Sequence, residues 1–343
     1  MKLGLIARDE IARGLAIQSK NFYDNMPVDK VLVVDMPRPD CAKAPEWYPG
    51  AWHIGYDAVL HRLDEAHVRD WMSDLDVIFT VETPYDWRLP EWARSMGVKT
   101  VIQGNPEFYR HNLPGFEHQA HPDAWWWPTR WRLASLPAGQ VIPVPMPDNI
   151  ERTAGRRHDP FVALHVAGKR AWLDRNGTDI FCSALANCMK PIVARIHGID
   201  EELPRVLPRD GVTVESHPSA IDDRWQMYDG AHLLVLPRKY GGLCLPALEA
   251  AACGLGVMMT DCPPNAELAS ELIPARSTRE INLACGQVTI HEVSQIDLGK
   301  HLDWASSHPD EVARMQSQSY ESVPRWSQWR DRYLTELEGV CQR

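Results

Sequence analysis

The sequence has no apolar run long enough to cross a membrane as a helix, since even the stretch 247–259 is short and carries Glu249. The opening residues, MKLGLIARDE, become charged too early for a secretory signal peptide and fit a first buried strand instead. None of the eight cysteines forms a Cys-x-x-Cys pair, which argues against a zinc knuckle or a redox dithiol. We therefore expect reduced cysteines and a cytoplasmic location.

An excess of basic residues is also missing. The chain has 46 acidic and 36 basic residues, which gives a formal net charge of -10. A positive surface supplies much of the affinity for nucleic acids, so this balance argues against a broad nucleic-acid-binding surface but leaves a local basic cleft open. With 343 residues, of which 44% are hydrophobic and 24% charged, the sequence fits a globular protein of two domains.

Short β-branched runs alternate with longer amphipathic stretches along the chain. This alternation predicts parallel sheets whose strands are joined by crossover helices. In the first half, strands are predicted at 3–7, 31–35, 76–81, 98–102 and 124–127, with a helix at 61–72. In the second half, strands are predicted at 161–166, 192–196, 212–215, 231–237 and 256–260, with helices at 178–186, 221–229 and 245–253.

A proline-rich connector, 141–148, separates the two halves, since repeated prolines are incompatible with a regular helix. We predict an α/β protein with two Rossmann-like, doubly wound domains, at 1–150 and 151–325. A C-terminal helix within 326–343 is predicted to pack back toward the first domain. Sheets of this kind bind ligands at the carboxyl ends of their strands, so the expected site is a cleft between the domains.

The most informative segment follows the strand predicted at 231–237. Arg238 and Lys239 come directly after this strand, and Gly241 and Gly242 follow them. Paired glycines let a backbone approach a ligand closely, and a loop that leads into a helix N-terminus favours an anion. The helix that begins there carries Glu249. The segment therefore predicts an anion-binding loop with two cations and a carboxylate beside it.

This segment resembles the donor-binding motif of the retaining GT-B glycosyltransferases of family 4. The family motif follows a strand that ends in Pro-Ser and reads Glu-Gly-Phe-Gly-Leu-Pro-x-x-Glu-Ala-x-Ala-x-Gly-x-Pro-Val. The positions that match it, in register and without a gap, are Gly242, Leu245-Pro246, Glu249-Ala250, Ala252, Gly254 and Val257. The resemblance implies a GT-B fold and a UDP-sugar or GDP-sugar as donor.

Residue roles follow from the same resemblance. Glu249 takes the place of the glutamate that binds the ribose hydroxyls, and a carboxylate suits this role because it accepts hydrogen bonds from both hydroxyls of a diol. The other residues of the segment implied to contact the donor are Arg238, Lys239, Gly241, Gly242, Leu243 and Cys244.

The chain departs from the motif at several positions, among them residues 241 and 256. Gly241 stands where the family has its first glutamate, which contacts the transferred sugar, and Gly256 replaces the usual proline. The loss of that glutamate leaves the identity of the sugar undefined. The backbone amides of residues 241–243 remain as candidates for holding the sugar or its phosphate.

Two further parts of the second half resemble the family. The segment 166–170 corresponds to its Gly-Arg-Leu loop, and Arg175 stands near its usual Lys-Gly. The resemblance implies that cations here neutralise the diphosphate leaving group without a metal, with Lys169 or Arg170 as first candidates and Arg175 next. Each of the three also fits an ordinary solvated loop cation. His217 lies in a segment that resembles the lining of the nucleobase pocket.

Candidates on the acceptor side come from the first half of the chain. Gly14 is instead a candidate donor-binding residue, because it follows the first predicted strand, where the family has a glycine-bearing loop that faces the donor phosphates. Glu82 and Glu107 follow two later predicted strands, and they are the candidate catalytic carboxylates. Each of them also fits a turn residue that satisfies local amides.

The resulting hypothesis is a metal-independent glycosyltransferase that moves a hexose or related sugar with retained configuration and has no permanently bound cofactor. A protein, lipid, glycan, small molecule or modified nucleic-acid base remains open as acceptor. The variant Arg-Lys-Tyr-Gly-Gly-Leu resembles divergent phage-encoded glycosyltransferases, which adds a virion protein or hydroxymethylated DNA base as acceptor and the host cytoplasm as location. Two alternatives stay open: a non-catalytic nucleotide-sugar or glycan-binding protein, and a GT-B-shaped sugar-nucleotide epimerase.

Overall fold

The computed structural model describes residues 1–11, 13–37, 42–109, 120–156, 159–168, 173–198, 203–204, 206, 209–218, 223–283 and 286–343. The chain divides into two compact units. Unit 1 consists of Met1–Asp148, Leu283–Gly286 and Pro324–Arg343, and unit 2 consists of Asn149–Asn282 and Gln287–Val323.

Unit 1 is built on a parallel sheet with the strand order β3-β2-β1-β4-β5-β6-β7. Its strands are β1 (Leu3–Ala7), β2 (Lys30–Asp35), β3 (Trp52–Gly55), β4 (Val77–Val81), β5 (Lys99–Gln103), β6 (Ala124–Trp127) and β7 (Gln140–Val141). The neighbouring strands β1 and β4 are buried along their whole length. Their almost wholly apolar sequences, in which Thr80 is the polar exception, follow from this position, because a strand inside a parallel sheet is covered on both faces.

The helices described in unit 1 are α1 (Gly14–Asn25), α2 (Glu65–Met72), α3 (Leu89–Ser95) and α8 (Trp326–Gln342). The last of these contributes to the core that also contains Phe22 and Trp126. In α8, the hydroxyl of Tyr333 donates to the carbonyl of Pro143 at 2.7 Å. The last helix of the chain is therefore part of the core of unit 1.

Unit 2 is built on a second parallel sheet with the order β10-β9-β8-β11-β12-β13. Its strands are β8 (Val162–Gly168), β9 (Ile192–Gly198), β10 (Val212–His217), β11 (Leu233–Leu236), β12 (Gly256–Thr260) and β13 (Glu271–Ile273). The helices described are α4 (Thr178–Leu185), α5 (Leu245–Ala252), α6 (Gln295–Ser307) and α7 (Pro309–Ser322). A separate two-stranded sheet pairs β14 (Ala275–Leu283) with β15 (Gly286–Val293).

All ten strands predicted from the sequence are present, with ends that differ by a few residues at most. Two predicted helices need correction. The helix predicted at 61–72 begins only at Glu65, where Asp64 caps it by accepting a hydrogen bond from the amide of His67 at 2.8 Å. In place of a regular helix at 221–229, the structure has a short 3-10 helix, Arg224–Tyr228, and residues 221 and 222 lie outside the described part.

Among the described residues, no helix combines the length and the apolar character that crossing a bilayer would need.

Candidate functional site

The loop between β11 and α5 places two cations at the carboxyl end of a buried strand. The side chain of Arg238 is almost fully buried, and its Nη2 donates to the carbonyl of Leu243 at 2.7 Å. Lys239 is also buried, and its Nζ donates to the carbonyl of Leu173 at 3.1 Å. Both predicted donor-binding cations are therefore present at this edge of the sheet, and each is held by a backbone carbonyl.

Gly241 has a backbone conformation and surroundings that suit glycine. Its φ is +124°, a value that residues other than glycine rarely adopt. A Cβ built at this position would overlap Nη2 of Arg238 and lie 2.9 Å from its Cζ. The guanidinium of Arg238 thus occupies the space in which a side chain at residue 241 would begin. The replacement of the motif's first glutamate by glycine is accompanied by a buried cation.

The two helices that begin near this loop differ in their N-termini. Helix α4 is capped, because the carboxylate of Asp174 accepts from the amides of Thr178 at 3.0 Å and Asp179 at 2.8 Å. Helix α5 begins after Cys244, and no side chain of the described residues caps it. An uncapped helix N-terminus carries partial positive charge from its first amides. The start of α5, next to residues 241–243, therefore suits a phosphate better than the start of α4.

Glu249 lies on α5 in a buried polar group of three side chains. It is 4% exposed, and the hydroxyl of Tyr228 donates to its Oε2 at 2.8 Å. Nε of Arg224 forms an ion pair with its Oε1 at 3.0 Å. Burial raises the pKa of Glu249, while Arg224 and Tyr228 act in the opposite direction. Sequence reasoning missed both partners, because the Tyr228 contact joins residues 21 positions apart.

His217 ends β10, and its ring stacks on the ring of His197 at the end of β9. The ring centroids are 4.4 Å apart and the planes differ by 9°. Burial lowers the pKa of His197 to about 4, and the nearby His217 adds to this effect. His197 was not predicted as a site residue. Its position opposite His217 follows from the parallel register of the two strands.

In unit 1, the structure places Glu82 directly after β4, with the unusual φ of +67°. The amide group of Asn105, which follows β5, donates to Glu82 Oε2 at 2.9 Å. Glu107 lies in a short 3-10 helix, Pro106–Phe108, and Gly14 is the exposed first residue of α1. The structure thus joins Glu82 to the side chain of Asn105, which lies at the neighbouring strand end.

The remaining predicted site residues differ in what the structure says of them. Arg175 is partly buried, and its carbonyl accepts from the amide of Lys239 at 2.9 Å, so its backbone adjoins the loop between β11 and α5. Lys169 and Arg170 lie outside the described residues. Within the described part of the chain, no three His, Cys, Asp or Glu side chains come together as metal ligands. Independence of metal remains a prediction.

Comparisons with known proteins bear on the fold and on this segment. Residues 161–287 match the family model of group 1 glycosyl transferases, which spans less than half of the chain. The match includes the loop after β11, α5 and Glu249. A search of curated protein sequences finds no match to the chain.

Several solved structures share the fold over nearly the full length. Anabaena HepE in complex with UDP is 11% identical with a TM-score of 0.67, and the similarity covers 99% of this chain and 100% of that one. A glycosyltransferase from Rickettsia africae is 9% identical with a TM-score of 0.65, covering 99% and 98%. A sucrose-phosphate synthase from Thermosynechococcus elongatus is 12% identical with a TM-score of 0.63, covering 100% and 96%.

At these identities the structural similarity shows the fold. It confirms the predicted α/β class, with two Rossmann-like parallel-sheet domains of the GT-B type. Together with the family match to residues 161–287, it supports a glycosyltransferase.

Proposed function

We propose that the protein transfers a sugar from a UDP-sugar or GDP-sugar to an acceptor, with retained anomeric configuration and without a metal. The observation that carries this proposal is Glu249, a buried carboxylate on the helix that begins after residues 241–243. Its position matches the ribose-binding glutamate of the motif, and residues 161–287 match group 1 glycosyl transferases. Three structures of Anabaena HepE contain UDP, UDP with glucose, or UDP-glucose, which also favours a uridine nucleotide.

In this proposal unit 2 binds the donor. The uncapped start of α5 and the amides of residues 241–243 hold the diphosphate, and Glu249 holds the ribose. Lys169, Arg170 and Arg175, with Arg238 and Lys239, stabilise the negative charge that develops on the leaving diphosphate. His217 lies toward the nucleobase.

We assign the acceptor to unit 1, where Glu82 and Glu107 are the candidate carboxylates. In a front-side transfer that retains configuration, an oxygen of the departing phosphate assists deprotonation of the acceptor. The two glutamates then need only orient the acceptor hydroxyl. The acceptor classes that remain are a protein, including a virion protein, a lipid, a glycan, a small molecule and a hydroxymethylated DNA base, and we propose that the reaction takes place in the cytoplasm.

The first test is a thermal-shift screen with UDP, GDP, ADP, dTDP and CMP and with their sugars. A nucleotide at about 100 times its dissociation constant stabilises its protein by about 2.7 kcal/mol, which is easily measured. We expect one nucleotide to raise Tm, and Glu249→Ala to abolish the shift. The matched control is Glu321→Ala, which removes an exposed glutamate from α7 of the same unit. If no nucleotide shifts the folded wild-type protein, the proposal fails.

Gly241 favours a second candidate, a nucleotide-sugar-binding protein without turnover, because the motif has a sugar-contacting glutamate at this position. The two candidates are separated by incubating the identified nucleotide-sugar with a panel of acceptors. Release of the nucleotide with an acceptor-bound sugar of retained configuration, read by NMR, supports the transferase. Binding without turnover supports the second candidate, and conversion of the sugar without any acceptor indicates an epimerase.

A further inference from the structure

Burying the carboxylate of Glu249 at its position in α5 is energetically unfavourable. Its neighbours on α5, Ala247, Leu248 and Ala250, are buried and apolar. Removing a carboxylate from water costs several kcal/mol, and replacing a buried ion pair by apolar side chains is often neutral or stabilising. Stability alone therefore does not account for a charged group here. A buried, paired and perturbed carboxylate is more characteristic of a binding or catalytic site.

The two partners of Glu249 come from one short element. Arg224 and Tyr228 are the first and last residues of the 3-10 helix Arg224–Tyr228. Tyr228 is fully buried, and the guanidinium of Arg224 packs over the ring of Trp225 with its Cζ 4.5 Å from the ring centroid. Burial and stacking restrict both side chains. The orientation of the carboxylate is therefore fixed from two sides.

Among the described residues, each oxygen of Glu249 has one partner. Tyr228 donates to Oε2 at 2.8 Å, and Arg224 pairs with Oε1 at 3.0 Å. An ionised carboxylate can accept about four hydrogen bonds, two on each oxygen. One acceptor position thus remains on each oxygen, and the spacing of the two oxygens suits the neighbouring hydroxyls of a ribose.

We propose that Arg224 and Tyr228 are positioning residues that present both oxygens of Glu249 to the 2′ and 3′ hydroxyls of the donor's ribose. This inference rests on the proposed function. It also narrows the donor to ribonucleoside diphosphates. A 2′-deoxynucleotide lacks one of the two hydroxyls, so one hydrogen-bond-accepting position of the buried carboxylate stays unfilled. Sites built to bind a hydroxyl reject analogues that lack it.

The test measures binding of UDP and 2′-deoxy-UDP by calorimetry, or of GDP and 2′-deoxy-GDP where the screen selects guanine. We expect the wild-type protein to bind the ribonucleotide about tenfold to a hundredfold more tightly, the range for one hydrogen bond to a charged group. In Tyr228→Phe, we expect a lower affinity for the ribonucleotide, while the deoxynucleotide is bound about as before. The ratio of the affinity for the ribonucleotide to that for the deoxynucleotide therefore moves toward one. Arg224→Met has the same effect, and Arg224→Lys restores part of the ratio.

The matched control is Tyr320→Phe, which removes a hydroxyl from a partly buried tyrosine of α7 and should leave both affinities unchanged. A loss of affinity for both nucleotides by the same factor in Tyr228→Phe would show a merely structural role and overturn the inference. Equal binding of the two nucleotides by the wild-type protein would also overturn it, yet leave the proposed function intact. The proposed function fails separately, when the wild-type protein binds none of the nucleotides.

Discussion

At the scale of single residues, His165 shows how the sheet of unit 2 tolerates a polar side chain in its interior. It lies on β8, fully buried, with Nδ1 2.8 Å from the carbonyl of Val235 and Nε2 3.0 Å from the hydroxyl of Thr178. The carbonyl can only accept, so Nδ1 carries the proton and Nε2 accepts from the hydroxyl. Both nitrogens are satisfied in the neutral ring, and burial lowers the pKa of His165 to about 4.

This histidine should make stability depend on pH. The unfolded chain binds a proton near pH 6.5, while folded His165 stays neutral until about pH 4. Its stabilising contribution is therefore complete above pH 6.5 and is lost as pH falls toward 4. We expect the wild-type protein to lose about 2 kcal/mol more than His165→Gln between about pH 7.5 and 5, measured by urea unfolding. His121→Gln, at an exposed position, is the control, and equal losses in wild type and His165→Gln would contradict the argument.

At the scale of secondary-structure elements, Gly177 brings the start of α4 close to the loop between β11 and α5, which carries Arg238 and Lys239. Its φ is +74°, and a Cβ there would overlap the carbonyl oxygen of Pro237 and lie 2.9 Å from its carbonyl carbon. Gly230 has a similar φ of +69°, but no atom of the described residues lies within 4 Å of its Cβ position. A substitution at Gly230 therefore introduces backbone strain alone, whereas a substitution at Gly177 introduces the same strain and a clash with a backbone atom.

We expect Gly230→Ala to lower the free energy of unfolding by about 1–3 kcal/mol through strain alone. Gly177→Ala should cost at least about 1 kcal/mol more, because overlap with a backbone atom forces Pro237 to move. Since Arg238 follows Pro237, the nucleotide affinity should fall in Gly177→Ala only. Urea unfolding and calorimetry measure the two effects. Equal stability and unchanged affinity in both variants would show that the loop after β11 adapts without cost.

The elements also show what the sequence can and cannot predict. Most of the ten predicted strands are largely buried runs rich in β-branched and aliphatic residues, and this composition identifies them. The exceptions are β6, which is mostly tryptophan, and β10, which has no buried residue. Strand β3, Trp52–Gly55, was missed because it is short and mostly not buried. The loop and Glu249 were predicted as site residues from their spacing along the chain, and their role stays a prediction. Tyr228 and Arg224 were missed as partners of Glu249, because their contact depends on how unit 2 folds.

At the scale of the whole molecule, the two units carry different natural probes. Only three of the 14 tryptophans, Trp172, Trp225 and Trp304, fall within the sequence of unit 2, so tryptophan emission reports mainly on unit 1. Five buried cysteines lie in unit 2: Cys182, Cys188, Cys244, Cys253 and Cys262. Each unit also has a core of its own. Emission and thiol labelling can therefore follow the two units separately in one experiment.

If unit 2 alone binds the donor nucleotide, the nucleotide should stabilise unit 2 selectively. At about 100 times the dissociation constant, we expect about 2.7 kcal/mol of added stability for the unit that binds. The five buried cysteines are labelled in a short pulse at increasing urea concentrations, and the labelling is read by mass spectrometry. The urea concentration at the midpoint of labelling should therefore rise when nucleotide is present. The midpoint of tryptophan emission should stay where it is, and Glu249→Ala should cancel the shift in labelling. An equal rise in both midpoints would mean that the units unfold as one cooperative body. A rise in emission alone would place the nucleotide in unit 1 and reverse the assignment of donor and acceptor.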